Sequence, residues 1–251
     1  MSDPSRATAP SRTLVFETMG TVVSVTSPTE IDPVTGEAVR TKFAELDAQF
    51  SLYRSDSEGS AVARDLTKLK TASSSFRETY DLAIAWRDAT EGAFTPHRPD
   101  GKVDLSGVVK ALGIQRAGEV LSAAGYRDWC LNAGGDVLVS GTSAGTPWVV
   151  GVVDPDDRTA LWTSYTTTPE RRAVATSGIQ ERGEHVWRMA ADDTFVQVTV
   201  AAADIITADV LATAILAGGI GTLEHVQKSF EIDVLAGTAD GRVWASPVFL
   251  S

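Results

Sequence analysis

Phe195-Val-Gln-Val-Thr-Val200, a short polar break, and Thr207-Ala-Asp209-Val-Leu-Ala-Thr213-Ala decide the fold. The first run is β-branched and apolar and reads as a strand. The second opens a helix of small apolar residues reaching Leu216, with a further helix around Leu223–Phe230. Its core-facing side is Ala, Val, Leu and Ile. Asp209 and Thr213 stand four apart, so they share one helix face one turn apart. An oxygen pair in the first turn of such a helix costs helix propensity. Two readings account for it. Asp209 complements the helix dipole and Thr213 bonds back within the helix. Alternatively, the pair offers oxygen to a hard cation such as Mg²⁺, which keeps water and substrate phosphates in the rest of its shell.

Working outward, Trp129–Ala133 and Val137–Ser140 read as strands around the turn Gly134-Gly135-Asp136. Trp148–Val153 reads as a buried strand closed by Asp154-Pro155-Asp156-Asp157, and Arg172–Thr176 as a strand ending at Ser177-Gly178. A last hairpin turns at Ala239-Asp240-Gly241. Upstream, Leu14–Thr26 reads as one strand with a bend at Met19-Gly20-Thr21. Val39, Phe43, Leu46 and Phe50 recur at helical spacing. Ser75-Phe-Arg-Glu78 reads as a capping box with Phe76, Tyr80 and Ile84 behind it, and Gly92 as the helix C-cap. A third helix starts near Gly107 and ends at Gly125. Helices early and hairpins late argue an α+β class with mostly antiparallel pairing, not regular βαβ alternation.

The chain has 251 residues, 43% of them hydrophobic, enough to bury a core in one domain spanning 13–251 behind a polar tail at 1–12 expected to be disordered. A net charge of −11 gives no bulk attraction to nucleic acid or an anionic membrane, so any phosphate must be captured locally. Cys130 is the only cysteine, which excludes an intrachain disulfide, and its place in a strand reads as a small buried hydrophobe. Met1–Arg12 lacks the apolar region of a secretory signal, and no run approaches a membrane span. The expectation is a soluble cytoplasmic protein without membrane insertion.

Five clusters of small residues fall at element ends: Met19-Gly-Thr21, Ala93-Phe94-Thr95-Pro96, Asp104-Leu-Ser-Gly107-Val-Val-Lys110, Asn132-Ala-Gly134-Gly135-Asp136 and Ala175-Thr176-Ser177-Gly178. Glycine lets a ligand approach the backbone, and helix starts supply N–H groups to phosphate. Each alone also reads as an ordinary turn or strand exit. Lys110 sits near a helix start against the dipole preference, either as a solvated lysine or as a cation aimed at phosphate or paired with Asp104. His185 could act as a general base near neutral pH, or be an ordinary loop residue. His97 and His225 read as surface residues. The sequence has no Walker loop, no G-x-G-x-x-G after the first strand and no Cys/His zinc spacing.

In order, these clusters form a series: Met-Gly-Thr, Phe-Ser-Leu-Tyr-Arg-Ser-Asp-Ser-Glu, Gly-Ala-Phe-Thr-Pro, Val-Asp-Leu-Ser-Gly-Val-Val-Lys, Asn-Ala-Gly-Gly-Asp, Ala-Thr-Ser-Gly and Ala-Asp-Val-Leu-Ala-Thr-Ala. From about Phe16 to Gly219 it resembles the ApbE family, the FAD:protein FMN transferases. The resemblance implies two intimately joined lobes with a ligand cleft between them. It implies Mg²⁺-dependent cleavage of FAD and transfer of FMN to a threonine of an acceptor flavoprotein, with AMP released. Some members instead hydrolyse FAD to FMN and AMP. The metal would be held by Asp209, Thr213 and a backbone carbonyl near Gly107. FAD contacts would fall on Met19, Tyr53, Ala93, Phe94, Thr95, Asp104, Lys110 and Trp187. Asn132, Gly135 and Asp136 would serve as scaffold and phosphate-side residues, and Thr176, Ser177 and Gly178 as cleft wall. His185 would assist the acceptor hydroxyl, and Asp209 would be catalytic through the metal.

Three departures stand out. Thr95 takes the place of the family's usual Asp. Ala111-Leu-Gly-Ile-Gln115 follows the lysine where Gly-Tyr-Ala-x-Asp is usual. After His185 comes Val-Trp-Arg-Met-Ala-Ala-Asp-Asp-Thr in place of the usual His-x-x-Asp-Pro-x-Thr-Gly. The last departure points to weakened FAD binding or transfer, and so to a FAD-binding protein or a FAD pyrophosphatase as the alternative.

Overall fold

The strand expected at 195–200 and the helix behind it lie at the centre of an α+β fold, in a computed structural model that describes residues 12–179 and 195–250. Along the chain the strands are β1 (Arg12–Thr18), β2 (Thr21–Ser27), β3 (Trp129–Ala133), β4 (Asp136–Ser140), β5 (Val149–Val153), β6 (Leu161–Thr166), β7 (Ala173–Gly178), β8 (Phe195–Ala202), β9 (Asp233–Thr238) and β10 (Val243–Ala245). Helices are α1 (Pro33–Phe50), α2 (Glu58–Ala63), α3 (Ser74–Ala89), α4 (Ser106–Ala123) and α5 (Ile205–Ser229). Eight strands form one antiparallel sheet in the order β1-β2-β3-β4-β7-β8-β9-β10, and β5 and β6 form a separate ribbon.

Strand alternation sorts the side chains onto two faces. On one, Leu131, Leu138, Ala173 and Ala175 pack with Phe43 of α1, Ile114 of α4 and Ile205 of α5. On the other, Val137, Val139, Val174, Ala201 and Leu235 pack with Val150, Val152 and Tyr165 of the ribbon and with Phe249. Phe50, Phe76, Phe94, Val108 and Val210 join α1, α3, α4 and α5 in a second helical core.

Several expectations are corrected. Leu14–Thr26 is a hairpin, not one bent strand: Thr18 pairs with Thr21 across a two-residue turn at Met19 (φ 49) and Gly20 (φ 70). Positive φ at both positions matches the right-handed twist of the flanking strands. The N-cap of α3 is Ser73, whose side chain accepts from Phe76 N–H, and not Ser75. Gly92 is not the C-cap, which is Thr90, but its N–H does close the helix end onto Arg87 O at 2.8 Å. The two last helices are one element broken at Gly219, where φ is 69 and ψ −155. By length and composition α5 does reach a membrane span, but 72% of its apolar window is buried inside the fold, as in the core helix of a folded domain. Trp148–Val153 is not buried throughout. From Val149 to Val153 every second residue is exposed, and its partner β6 had no clear sequence signal.

The position of α4 depends on a close approach. A Cβ on Gly113 would stand 2.8 Å from two ring carbons of Phe43, which is 1% exposed. Gly113→Ala gains about 1 kcal/mol of helix propensity and meets an overpacking cost of about 1–3 kcal/mol. The expected net result is a lower urea midpoint with an unchanged slope; a higher midpoint would show that the Phe43 ring is free to shift.

Candidate active site

The candidate residues converge where the helices meet the helix-facing side of the sheet. Met19 packs against both helical cores at the β1–β2 turn. A side chain there rarely adopts positive φ, and such strain concentrates at functional sites. This turn abuts the β3–β4 turn: Gly134 N–H donates to Val22 O at 3.2 Å, and a Cβ on Gly134 would collide with the Thr21 hydroxyl. Within that second turn, Asn132 Oδ1 accepts from Gly135 N–H at 2.9 Å.

Asp136 precedes Leu138 by two residues, so its side chain lies on the helix-facing side. It is fully buried, it forms an ion pair with Lys110 of α4, and its Oδ1 accepts from Thr176 N–H at 3.2 Å. The ion pair of Lys110 is with Asp136, a carboxylate the sequence did not point to. Asp104 stands one residue before Leu105, the N-cap of α4, and its Oδ1 accepts from Ser106 N–H at 2.9 Å. Phe94 lies over the same helix start, since a Cβ on Gly107 would be 2.8 Å from its ring. Phe94 N–H donates to Thr90 Oγ1 at 3.1 Å, and Thr95 Oγ1 accepts from His97 N–H at 3.2 Å. Thr95 therefore keeps a local turn that an Asp could also make, without the charge. Ala93 comes close to α5 at Gly218.

On α5 the helix starts at Ile205, and Asp204 is the N-cap, accepting from Thr207 N–H at 2.9 Å and from its hydroxyl at 2.7 Å. The dipole and the first-turn N–H groups are thus served by Asp204. Asp209 and Thr213 lie a turn deeper than the sequence suggested, beyond the first turn where a carboxylate complements the helix dipole. Asp209 is 1% exposed and Thr213 9%. Facing them from β7, Ser177 is fully buried, and its Oγ lies 3.1 Å from Thr213 Oγ1. A charged carboxylate buried this far calls for compensation. A carboxylate with neighbouring hydroxyls is the donor chemistry that a hard cation takes. Among the described residues, no group of three or more His, Cys, Asp or Glu gathers in one place.

Thr176 is brought to the site only through its N–H. Its side chain lies on the ribbon side of the sheet, where its Oγ1 is 2.9 Å from Thr199 Oγ1. Gly178 ends β7 opposite Gln197. Tyr53 is 87% exposed, on a loop clamped from behind. Ser57 Oγ donates to Ser51 O at 2.5 Å and to Arg54 O at 3.1 Å, and Ser60 Oγ to Leu52 O at 3.2 Å. His185 and Trp187 lie outside the described residues. His97 has a partner in Tyr80, whose hydroxyl is 3.0 Å from its Nε2, and His225 Nε2 is 3.3 Å from Ala89 O. Cys130 is half-buried, and burial pushes its thiol up to about 11, so it stays protonated at neutral pH. Surface hollows of about 590 Å³ against α1 and about 290 Å³ beside Tyr126 include none of the candidate residues.

The sequence reading missed the hydroxyl clamp behind Tyr53 and the bonds that tie Glu58, at the start of α2, to Ser73 and Gln49. Glu58 Oε1 accepts from Ser73 N–H at 2.6 Å and Oε2 from Ser73 Oγ at 2.7 Å, with Gln49 adding a third bond at 3.0 Å. Burial alone would raise this carboxyl, but the bonds from Ser73 and Gln49 together hold it below its ordinary value. A lowered folded pKa contributes stability that is present above the ordinary carboxylate range and is lost as pH falls through the folded value. Glu58→Gln is therefore expected to flatten the acid limb of a melting-temperature profile between about pH 5 and pH 3. An unchanged limb would remove Glu58 from that role.

Solved structures give the same architecture. The flavin transferase ApbE of Vibrio cholerae superposes with a TM-score of 0.72 at 22% identity, covering 96% of this chain and 99% of that one. The ApbE protein of Thermotoga maritima gives 0.75 at 20% identity, covering 96% and 98%. In sequence, a Rhodobacter capsulatus protein named FAD:protein FMN transferase is 32% identical over 103 residues, which is 41% of this chain and only 18% of that protein. A family model described as the ApbE family matches residues 19–99 and 96–236. That match takes in every motif cluster gathered at the site, and the chain belongs to the ApbE family.

Proposed function

We propose that this protein transfers FMN from FAD to a threonine hydroxyl of an acceptor flavoprotein, in a Mg²⁺-dependent reaction that releases AMP. The observation that carries this reading is the buried oxygen set of Asp209 and Thr213, facing Ser177, in a chain of the ApbE family. In the proposed reaction the threonine Oγ bonds to the phosphorus of the FMN half. The bond from that phosphorus to the bridging oxygen breaks, and AMP leaves with the electron pair. The hydroxyl proton passes to a base, a role assigned by resemblance to His185.

Asp209, Thr213 and the Gly107 carbonyl would hold Mg²⁺, which when bound neutralises charge on the diphosphate. The chain's own work is positioning. Lys110 stands at the edge of the site with its charge balanced by Asp136, so it offers directed N–H groups rather than a net positive field. The N–H groups at the start of α4 and in the β3–β4 turn suit phosphate oxygens. Met19, Tyr53 and Phe94 offer apolar faces for the ring systems, and the clamped loop presents Tyr53 outward. The sequence after His185 favours a second reading, in which water takes the place of the threonine and FMN is released free.

The test is incubation with FAD and Mg²⁺, with and without a flavoprotein domain that carries FMN on threonine. The expected result is a fluorescent acceptor band, with AMP appearing in step with it. AMP appearing equally fast without acceptor, and no labelled band, would replace transfer with hydrolysis. Unchanged FAD in both arms would leave a binding protein.

A further inference from the structure

We propose that Ser177 is a positioning residue that orients the Thr213 hydroxyl for the cation. This rests on the Mg²⁺ site proposed above. The two hydroxyls meet from different elements, 36 residues apart in sequence, with Ser177 Oγ and Thr213 Oγ1 separated by 3.1 Å and either able to donate. Ser177 is fully buried, on the helix-facing side of β7 with Ala173 and Ala175. β7 pairs with β4 at Ala173 and Val174 and with β8 along its length, where Ser177 stands opposite Val198.

A threonine that gives an oxygen lone pair to a cation cannot aim its own proton at that cation. The proton needs an acceptor on another side. In a helix, threonine divides between two χ1 rotamers because its hydroxyl can also donate to a carbonyl of the preceding turn. Ser177 Oγ supplies an acceptor from outside the helix. With Ser177 accepting, the lone pairs of Thr213 Oγ1 turn away from β7. Ser177 then acts through Thr213 and does not touch the cation, as the partners behind metal ligands do elsewhere.

Mn²⁺ alone, titrated into the full chain and followed by the electron paramagnetic resonance of the free ion, tests this without turnover. The expected result is about 10-fold weaker Mn²⁺ binding for Ser177→Ala. Thr213→Val weakens binding at least as much, and adding Ser177→Ala to it changes nothing further, since a residue acting through another shows no separate effect. Melting temperatures of all variants without metal check folding. Wild-type affinity in Ser177→Ala overturns the proposal. So does an additive loss in the double variant, which would make Ser177 a ligand itself. Asp209→Ala separates the two levels: if it binds Mn²⁺ like the wild type, the metal-site reading is wrong and the role of Ser177 falls with it. If Asp209→Ala abolishes binding while Ser177→Ala is silent, only the present inference fails.

Discussion

Under the proposed reaction, Asp209→Ala is expected to lower Mg²⁺-dependent release of AMP from FAD about a thousandfold, which corresponds to about 4 kcal/mol of lost transition-state stabilisation. The fold survives. Asp209 is 1% exposed on a helix whose neighbouring positions are Ala, Val and Leu, and alanine is the best helix former. Burying a carboxylate is costly, so without metal the melting temperature of the variant stays level or rises. This is the pattern of a residue kept for function at the expense of stability. Initial rates at saturating Mg²⁺, set beside a metal-free melting curve, measure both halves. More than a tenth of the wild-type rate, or a collapse of the fold, contradicts the assignment.

Lys110→Met produces the largest expected loss of stability, about 3 kcal/mol, because it leaves the Asp136 carboxylate buried without its cation. For a chain of this size that lowers the melting temperature by about 6–12 °C. The converse change is milder. Asp136→Asn keeps the acceptor for Thr176 N–H, and the Lys110 side chain is already 23% exposed and can turn to water. The double variant Lys110→Met/Asp136→Asn is expected to recover most of the deficit, since neither charge remains. Calorimetry of the three variants decides the matter, and equal losses for the two single changes would contradict this ranking.

Elements whose signal is local were legible in the sequence. The apolar spacing from Val39 to Phe50 marks α1, and Gly134-Gly135 marks the β3–β4 turn. The β1–β2 hairpin was not legible, because methionine is an unusual residue at positive φ and the apolar pattern continues through the turn. The N-cap of α3 was misplaced because three serines precede Phe76, and the carboxylate that distinguishes Ser73 comes from Glu58, 15 residues away. Likewise, the resemblance puts Ser177 in the cleft wall and the sequence marks Asp209 and Thr213 as a pair, but nothing in the sequence sets Ser177 against Thr213. Contacts between elements leave no period behind: Lys110 meets Asp136 only because α4 packs on β4. Thr176 and Ser177 are neighbours in one motif, yet strand alternation sends them to opposite faces of the sheet.

The order of strands also bears on how the chain reaches this state. β3 and β4, β7 and β8, and β9 and β10 are hairpins or near neighbours that can zip early. β2 joins β3 only after a long excursion through four helices, and Ser27 Oγ bonds Asp128 O across 101 residues. Closing so long a segment is entropically uphill before its contacts form, and non-local pairing of this kind slows folding. The amino-terminal hairpin is therefore expected to dock late onto the rest of the sheet. In pulse-labelling hydrogen exchange, amides of β8 and β9 gain protection before those of β1 and β2, and the strained Met19 turn is set among the last.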